Sequence, residues 1–69
     1  MITQFAQALR ELMDESQINA ATLSRETGIS ATAISFYLAG KREPCLTYLC
    51  LLADYFDVSL DVLTGKKLY

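Results

Sequence analysis

The stretch SATAISFYLAGKREP, residues 30–44, decides how this chain is read. Ser30 carries the side-chain oxygen that caps a helix N-terminus. Ile34, Tyr37 and Leu38 then recur at helical spacing and form an apolar stripe. Gly40 stops the helix, and Lys41 to Pro44 make a polar turn. The opposite face is harder to place. Ala31, Thr32, Ser35 and Phe36 stand there, and no Arg, Lys, Asn or Gln lies between Ser30 and Gly40.

Reading outward, Asn19 caps a short second helix in which Leu23 and Thr27 face inward and Ser24 is small enough for close packing. Gly28 ends it where the chain turns through a positive φ, and Ile29 is a buried pivot. Two short helices joined by Gly28-Ile29-Ser30 make a helix-turn-helix over about residues 19–40. Upstream, Thr3 is expected to cap a first helix with Phe5, Leu9, Leu12 and Met13 at helical spacing. Downstream, a fourth helix is expected from about Cys45 to Phe56. After a bend at Asp57-Val58-Ser59, Ser59 caps a last short helix from Leu60 to Thr64 that ends at Gly65. Nothing reads as a strand, repeat or linker, so the expected architecture is all-α, a compact five-helix bundle forming one domain over residues 1–69.

The bulk numbers agree. Of the 69 residues 52% are apolar, too many for a disordered chain, and one Pro with three Gly favours helices joined by short turns. The longest apolar run, Tyr48 to Ala53, is too short to span a bilayer. No charged stretch followed by an apolar one opens the sequence, so a cytoplasmic protein with no membrane contact is expected. There is no histidine, no nucleophile beside a plausible base and no Gly-rich phosphate cradle, which argues against an enzyme. Cys45 and Cys50 are five apart, on different faces of one helix, so they are expected to be small buried or half-buried thiols. No metal, cofactor or small-molecule ligand is implied, and Asp54, Asp57 and Asp61 read as a solvated face and helix-terminus charges.

The net charge is −2, which disfavours indiscriminate nucleic-acid binding. Its distribution says more. Residues 1–18 set Arg10 against Glu11, Asp14 and Glu15, and residues 45–69 set Lys66 and Lys67 against three aspartates. Residues 19–44, with Arg25, Lys41 and Arg42 against Glu26 and Glu43, are the only net-positive segment. It is the segment that holds the helix-turn-helix.

From Asn19 to Leu63 the sequence resembles the helix-turn-helix domain of the phage repressor and Cro class, also called XRE-like. The resemblance rests on Leu23, Gly28-Ile29-Ser30, Ile34-Ser35, Gly40-Lys41-Arg42, Pro44, Leu46, Leu49, Leu52-Ala53 and Val58-Ser59-Leu60-Asp61-Val62-Leu63, and Leu9-Arg10-Glu11-Leu12 fits the first helix. It implies a lambda-repressor-like fold and a sequence-specific transcriptional regulator, a repressor, whose partner is double-stranded DNA. The third helix would enter the major groove with Ala31, Thr32, Ser35 and Phe36 toward base edges. Asn19, Ala20, Ser30, Lys41 and Arg42 would meet phosphate, through helix-end amides and the two cations. The sequence departs from the family in three places. Ala20 replaces the Gln that often opens the second helix. Leu38 stands where a Glu often pairs with the helix-one arginine, so Arg10 is left for Glu43, another carboxylate or phosphate. The reading face lacks the groups that bond guanine or adenine in two places. What remains are thymine-methyl contacts from Ala31, Ala33 or Phe36 and hydroxyl bonds from Thr32 and Ser35.

The fourth helix is apolar nearly all round. Leu46, Leu49, Ala53 and Phe56 form the expected core face, flanked by Cys50 and Leu52. Tyr48, Leu51 and Tyr55 form a second stripe that, with Val62 and the terminal Leu68-Tyr69, is expected to be covered by a second copy. A homodimer would let two weak readers act together on half-sites about 34 Å apart. The alternative is a protein-interaction module of antitoxin or antirepressor type, with Phe36 packed on a protein rather than on DNA.

Overall fold

The computed structural model describes the backbone of residues 2–64 and the side chains of residues 4–64. Among them are five helices and no strand: α1 (Ile2–Ser16), α2 (Ala20–Thr27), α3 (Ala31–Leu38), α4 (Leu46–Phe56) and α5 (Leu60–Thr64). Because α1 begins at Ile2, Thr3 lies within it and is not its cap. Gly65, Lys66, Lys67, Leu68 and Tyr69 lie outside the described residues.

The helices meet around one apolar cluster. Phe5, Leu9 and Met13 of α1, Leu23 of α2, Ile29 of the turn, Ile34 and Tyr37 of α3, Leu52 and Ala53 of α4 and Leu63 of α5 are all buried in it. The Phe5 and Tyr37 rings meet edge to face, with centroids 5.6 Å apart, a favoured aromatic geometry. Helix α1 spans the bundle, packing on α3 and on α5, while α2 packs on α3 and α4. Thus α3 is held from behind by α1 and α2.

Helix ends set the directions of the chain. Three helices close in the same way, with a residue two or three positions past the helix bonding back five positions. Ile18 N–H donates to the Met13 carbonyl, Lys41 N–H to Phe36, and Val58 N–H to Ala53. This Schellman geometry puts the preceding residue in the left-handed region, as seen at Gln17, Gly40 and Asp57. At Gly28, φ 82°, α2 ends with the simpler bond to the Ser24 carbonyl. Thr27 ties that turn together, its hydroxyl donating to the Leu23 carbonyl at 2.7 Å and accepting from Ile29 N–H at 3.3 Å.

Helix α4 differs from its expected register. Leu52 is fully buried, whereas Leu46, expected in the core, is 70% exposed. The buried stripe runs through Leu49, Leu52, Ala53 and Phe56, and at 3.6 residues per turn Leu46 lies roughly 70° from its centre. Both cysteines are exposed rather than buried or half-buried, because Cys45 is the cap position and Cys50 falls on the outer side of that stripe. At Ser59 the group that engages α5 is the backbone carbonyl, accepting from Val62 N–H at 3.2 Å.

Candidate nucleic-acid interface

The α2–turn–α3 unit presents one surface built from caps inward. Asn19 Oδ1 accepts from Thr22 N–H at 2.9 Å, and Ser30 Oγ accepts from Ala33 N–H at 3.1 Å. Each cap satisfies one first-turn donor. Helix geometry leaves the amides of Ala20 and Ala21, and of Ala31 and Thr32, without an intrahelical acceptor. Two helix N-termini therefore present N–H groups suited to anionic oxygen. With its Oδ1 engaged, Asn19 has its side-chain NH2 to offer outward, and Ser30 has its hydroxyl hydrogen. Ala20 is half-buried against the core, so its contribution to the surface is its backbone amide.

Ala31, Thr32, Ser35 and Phe36 are all exposed and share the outer face of α3, opposite Ala33, Ile34 and Tyr37. Ala33 is corrected by this placement: it is 8% exposed, on the core side of the helix, and cannot reach a base methyl. Ala39, at the C-terminal cap, is exposed on the same outer face and was not singled out in the sequence.

Arg10 takes none of its expected partners. Its Nη2 donates to the carbonyl of Leu38 at 2.9 Å. The position lacks a carboxylate side chain, yet the orphan carbonyl at the end of α3 supplies an acceptor where the helix dipole is negative. Arg10 thus clamps α1 to the C-terminal end of α3. A side-chain pattern gives no hint of a backbone partner.

Past Gly40 the chain turns back, and the Arg42 guanidinium stands over the Phe36 ring, 5.1 Å from its centroid. That is a cation–π contact. Lys41, Arg42 and Glu43 are exposed. The two cations therefore sit beside the outer face of α3, one of them in contact with its largest side chain.

The second apolar surface lies elsewhere. Tyr48 and Leu51 of α4 and Val62 of α5 are exposed, at 37%, 39% and 48%. Tyr55, expected among them, is half-buried: its ring meets Phe56 edge to face at 5.0 Å and its hydroxyl donates to the Glu26 carboxylate. That bond holds the neutral phenol and pushes its pKa up, with lesser contributions from burial and the Glu26 charge. Tyr37 is also pushed up, chiefly by burial. Among the described residues, no group of His, Cys, Asp and Glu is placed to hold a metal ion, and no helix is long and apolar enough to cross a membrane.

The helix-turn-helix family model matches residues 9–63. Over 61 residues the chain is 31% identical to an uncharacterized HTH-type transcriptional regulator, YobD, of Bacillus subtilis (strain 168), covering 88% of this chain and 54% of that protein. A transcriptional regulator from Listeria innocua, known from its crystal structure, superposes with a TM-score of 0.86 at 27% identity, over 96% of this chain and 62% of that one. The chain therefore spans about half the length of the curated relative and less than two thirds of the solved one.

Proposed function

We propose that this chain, which belongs to the XRE-type helix-turn-helix family, binds duplex DNA at specific sites as a homodimer and represses transcription. One observation carries the reading. The exposed face of α3 carries Ala31, Thr32, Ser35 and Phe36, with the Ser30-capped N-terminus at one end and the Arg42 guanidinium over Phe36 toward the other. With α3 in the major groove, Thr32 and Ser35 offer hydroxyls to base edges, while Ala31 and Phe36 offer apolar contact to thymine methyls. The amides of Ala20 and Ala21, the Asn19 NH2, the Ser30 hydroxyl and the Lys41 ammonium would supply the phosphate contacts.

Dimerisation rests on Tyr48, Leu51 and Val62, which expose apolar surface on the packed pair α4 and α5. Tyr55 contributes less than its spacing suggests, since its hydroxyl is already taken by Glu26. Two copies would place two weakly endowed helices on successive major grooves about 34 Å apart.

The apolar outer face of α3 with its exposed Phe36, in a chain of net charge −2, supports the second reading, a protein-interaction module that packs Phe36 on a protein. Fluorescence anisotropy with mixed-sequence duplex DNA across a salt series separates the two. Affinity that falls steeply with salt is expected, with Lys41→Ala lowering the slope by about one. No binding at low salt overturns the DNA reading in favour of the interaction module.

A further inference from the structure

The reading face of α3 lacks a side chain able to bond a purine in two places, yet a guanidinium stands over it from outside the helix. We propose that Arg42, held by the Phe36 ring, is a specificity-determining residue that reads guanine in the major groove. The inference deepens the DNA-binding reading and depends on it.

The geometry follows from the end of α3. Gly40, φ 72°, reverses the chain so that Lys41 N–H bonds to the Phe36 carbonyl at 2.9 Å. The residue after Lys41 is thereby returned toward Phe36, although six positions separate them in sequence. Arg42 uses this return to bring its guanidinium carbon 5.1 Å from the ring centroid. Phe36 belongs to the same exposed face as Thr32 and Ser35. The charge is therefore in contact with a side chain of the surface that would face the bases.

The chemistry of the two cations divides their work. A guanidinium attracted to an aromatic ring through its π-face keeps the N–H groups on its edge for hydrogen bonds. Those parallel donors match guanine O6 and N7, the commonest specific pairing in the major groove. Ordering the side chain over Phe36 before binding lowers the entropy lost on contact. Lys41 has a flexible stem and a compact charge, which suits phosphate and carries no planar fork. Phe36 is thus a positioning residue for Arg42 as well as an apolar contact for a neighbouring thymine. The helix needs no purine-reading side chain of its own, because its C-terminal turn delivers one.

The test is selection of sites from a randomised duplex DNA library, followed by anisotropy on the selected duplex and on single-base-pair variants of it. The protein is the 69-residue chain, its Arg42→Lys, Phe36→Leu and Phe36→Tyr variants, and Lys41→Ala. Wild type is expected to select one G·C pair in each half-site and to lose roughly tenfold or more in affinity when it is exchanged. Arg42→Lys keeps the charge and should keep the salt slope while flattening that one preference. Phe36→Leu keeps an apolar side chain but removes the ring, and should flatten the same preference. Phe36→Tyr keeps the ring and should restore it. Because Phe36 and Arg42 are exposed, thermal unfolding should remain unchanged in all of them.

Two outcomes overturn the proposal while leaving DNA binding intact. One is an Arg42→Lys protein with the wild-type site preference. The other is a uniform loss across all sequences for both Arg42 and Phe36 variants, which marks Arg42 as a phosphate contact. Wild type that binds no duplex even at low salt overturns the DNA reading itself, and this inference with it.

Discussion

The outer faces of α3 and α4 both expose aromatic and apolar side chains, but their surroundings differ. On α3, Phe36 is 37% exposed and lies under the Arg42 guanidinium, on a face that carries the hydroxyls of Thr32 and Ser35. On α4, Tyr48 is equally exposed and Leu51 slightly more so, yet the residue that shares their helix face is Tyr55, and the helix packed on α4 is α5, where Val62 is exposed. Apolar area alone does not distinguish a nucleic-acid face from a protein face. The charge and the free backbone donors around it do, because phosphate requires both and a second protein chain requires neither. On the proposed reading, the first face is the one that meets DNA and the second the one that meets another copy of the chain.

The largest expected effect tests whether α4 is oriented so as to leave that outer face free. Leu52 and Leu46 are the same residue type on one helix, one fully buried and one 70% exposed. Leu52→Ala should cost about 2–5 kcal/mol in urea unfolding, through lost burial and the cavity left behind. Leu46→Ala should change stability by no more than about 0.5 kcal/mol. Equal losses would mean that α4 packs in another register and that the comparison between faces is misdrawn.

A direct break comes next. Phe36→Ala should weaken binding to a selected duplex roughly tenfold while leaving self-association unchanged, since an apolar and a cation–π contact leave together. The double variant Tyr48→Ser, Leu51→Ser should do the reverse, weakening self-association in sedimentation at least tenfold and sparing affinity for a half-site duplex. If Phe36→Ala dissociates the dimer and the α4 variant abolishes half-site binding, the two faces have exchanged roles.

Gly28 lets the α3 side be disturbed alone. Its φ of 82° suits glycine, and a Cβ added there would meet nothing within 4 Å. Gly28→Ala should therefore cost about 1 kcal/mol from backbone strain alone. It should lower DNA affinity through the α2–α3 turn while leaving the α4 surface as it was. A loss several times larger, seen in thermal unfolding, would show that the turn does more than set one backbone angle.

How much of this was legible in the sequence follows from where the information lies. Asn19 and Ser30 act as expected because a cap is a local bond between a side chain and an amide three residues on. Gly28 and Gly40 are equally local. Asp57, at φ 56°, is of a type that tolerates the left-handed region, whereas nothing in the side chain of Gln17, at φ 55°, marks its left-handed closure. Arg10 was legible as a residue in need of a partner, but its partner is a carbonyl, which every residue has. The face of α3 could be read from periodicity, and Ala33, four residues before Tyr37, belongs by the same spacing to the core side where it is found. The Arg42–Phe36 contact escaped because its spacing of six fits neither helix nor strand and exists only through the turn at Gly40. The register of α4 was ambiguous for a simple reason: on a helix apolar nearly all round, hydrophobicity does not say which stripe is buried.

The smallest effect concerns the contact that draws Tyr55 away from the exposed α4 surface. Its phenol donates to Glu26 of α2, and its pKa is raised, first by that bond and then by burial and the Glu26 charge. A raised folded-state pKa means that the neutral phenol is the form favoured by folding. Its contribution is complete below the unfolded value of about 10 and is lost as pH rises from there through the folded value. Wild type should therefore lose stability on that alkaline limb. Tyr37, raised by burial, adds to the loss in the same direction. Tyr55→Phe should be slightly less stable than wild type at neutral pH and should show a shallower alkaline decline, with the remainder due to Tyr37 and other groups. Self-association should stay close to wild type, because the hydroxyl faces Glu26 rather than a partner. A Tyr55→Phe variant with an unchanged alkaline limb and a weakened dimer would return Tyr55 to the interface with Tyr48 and Leu51.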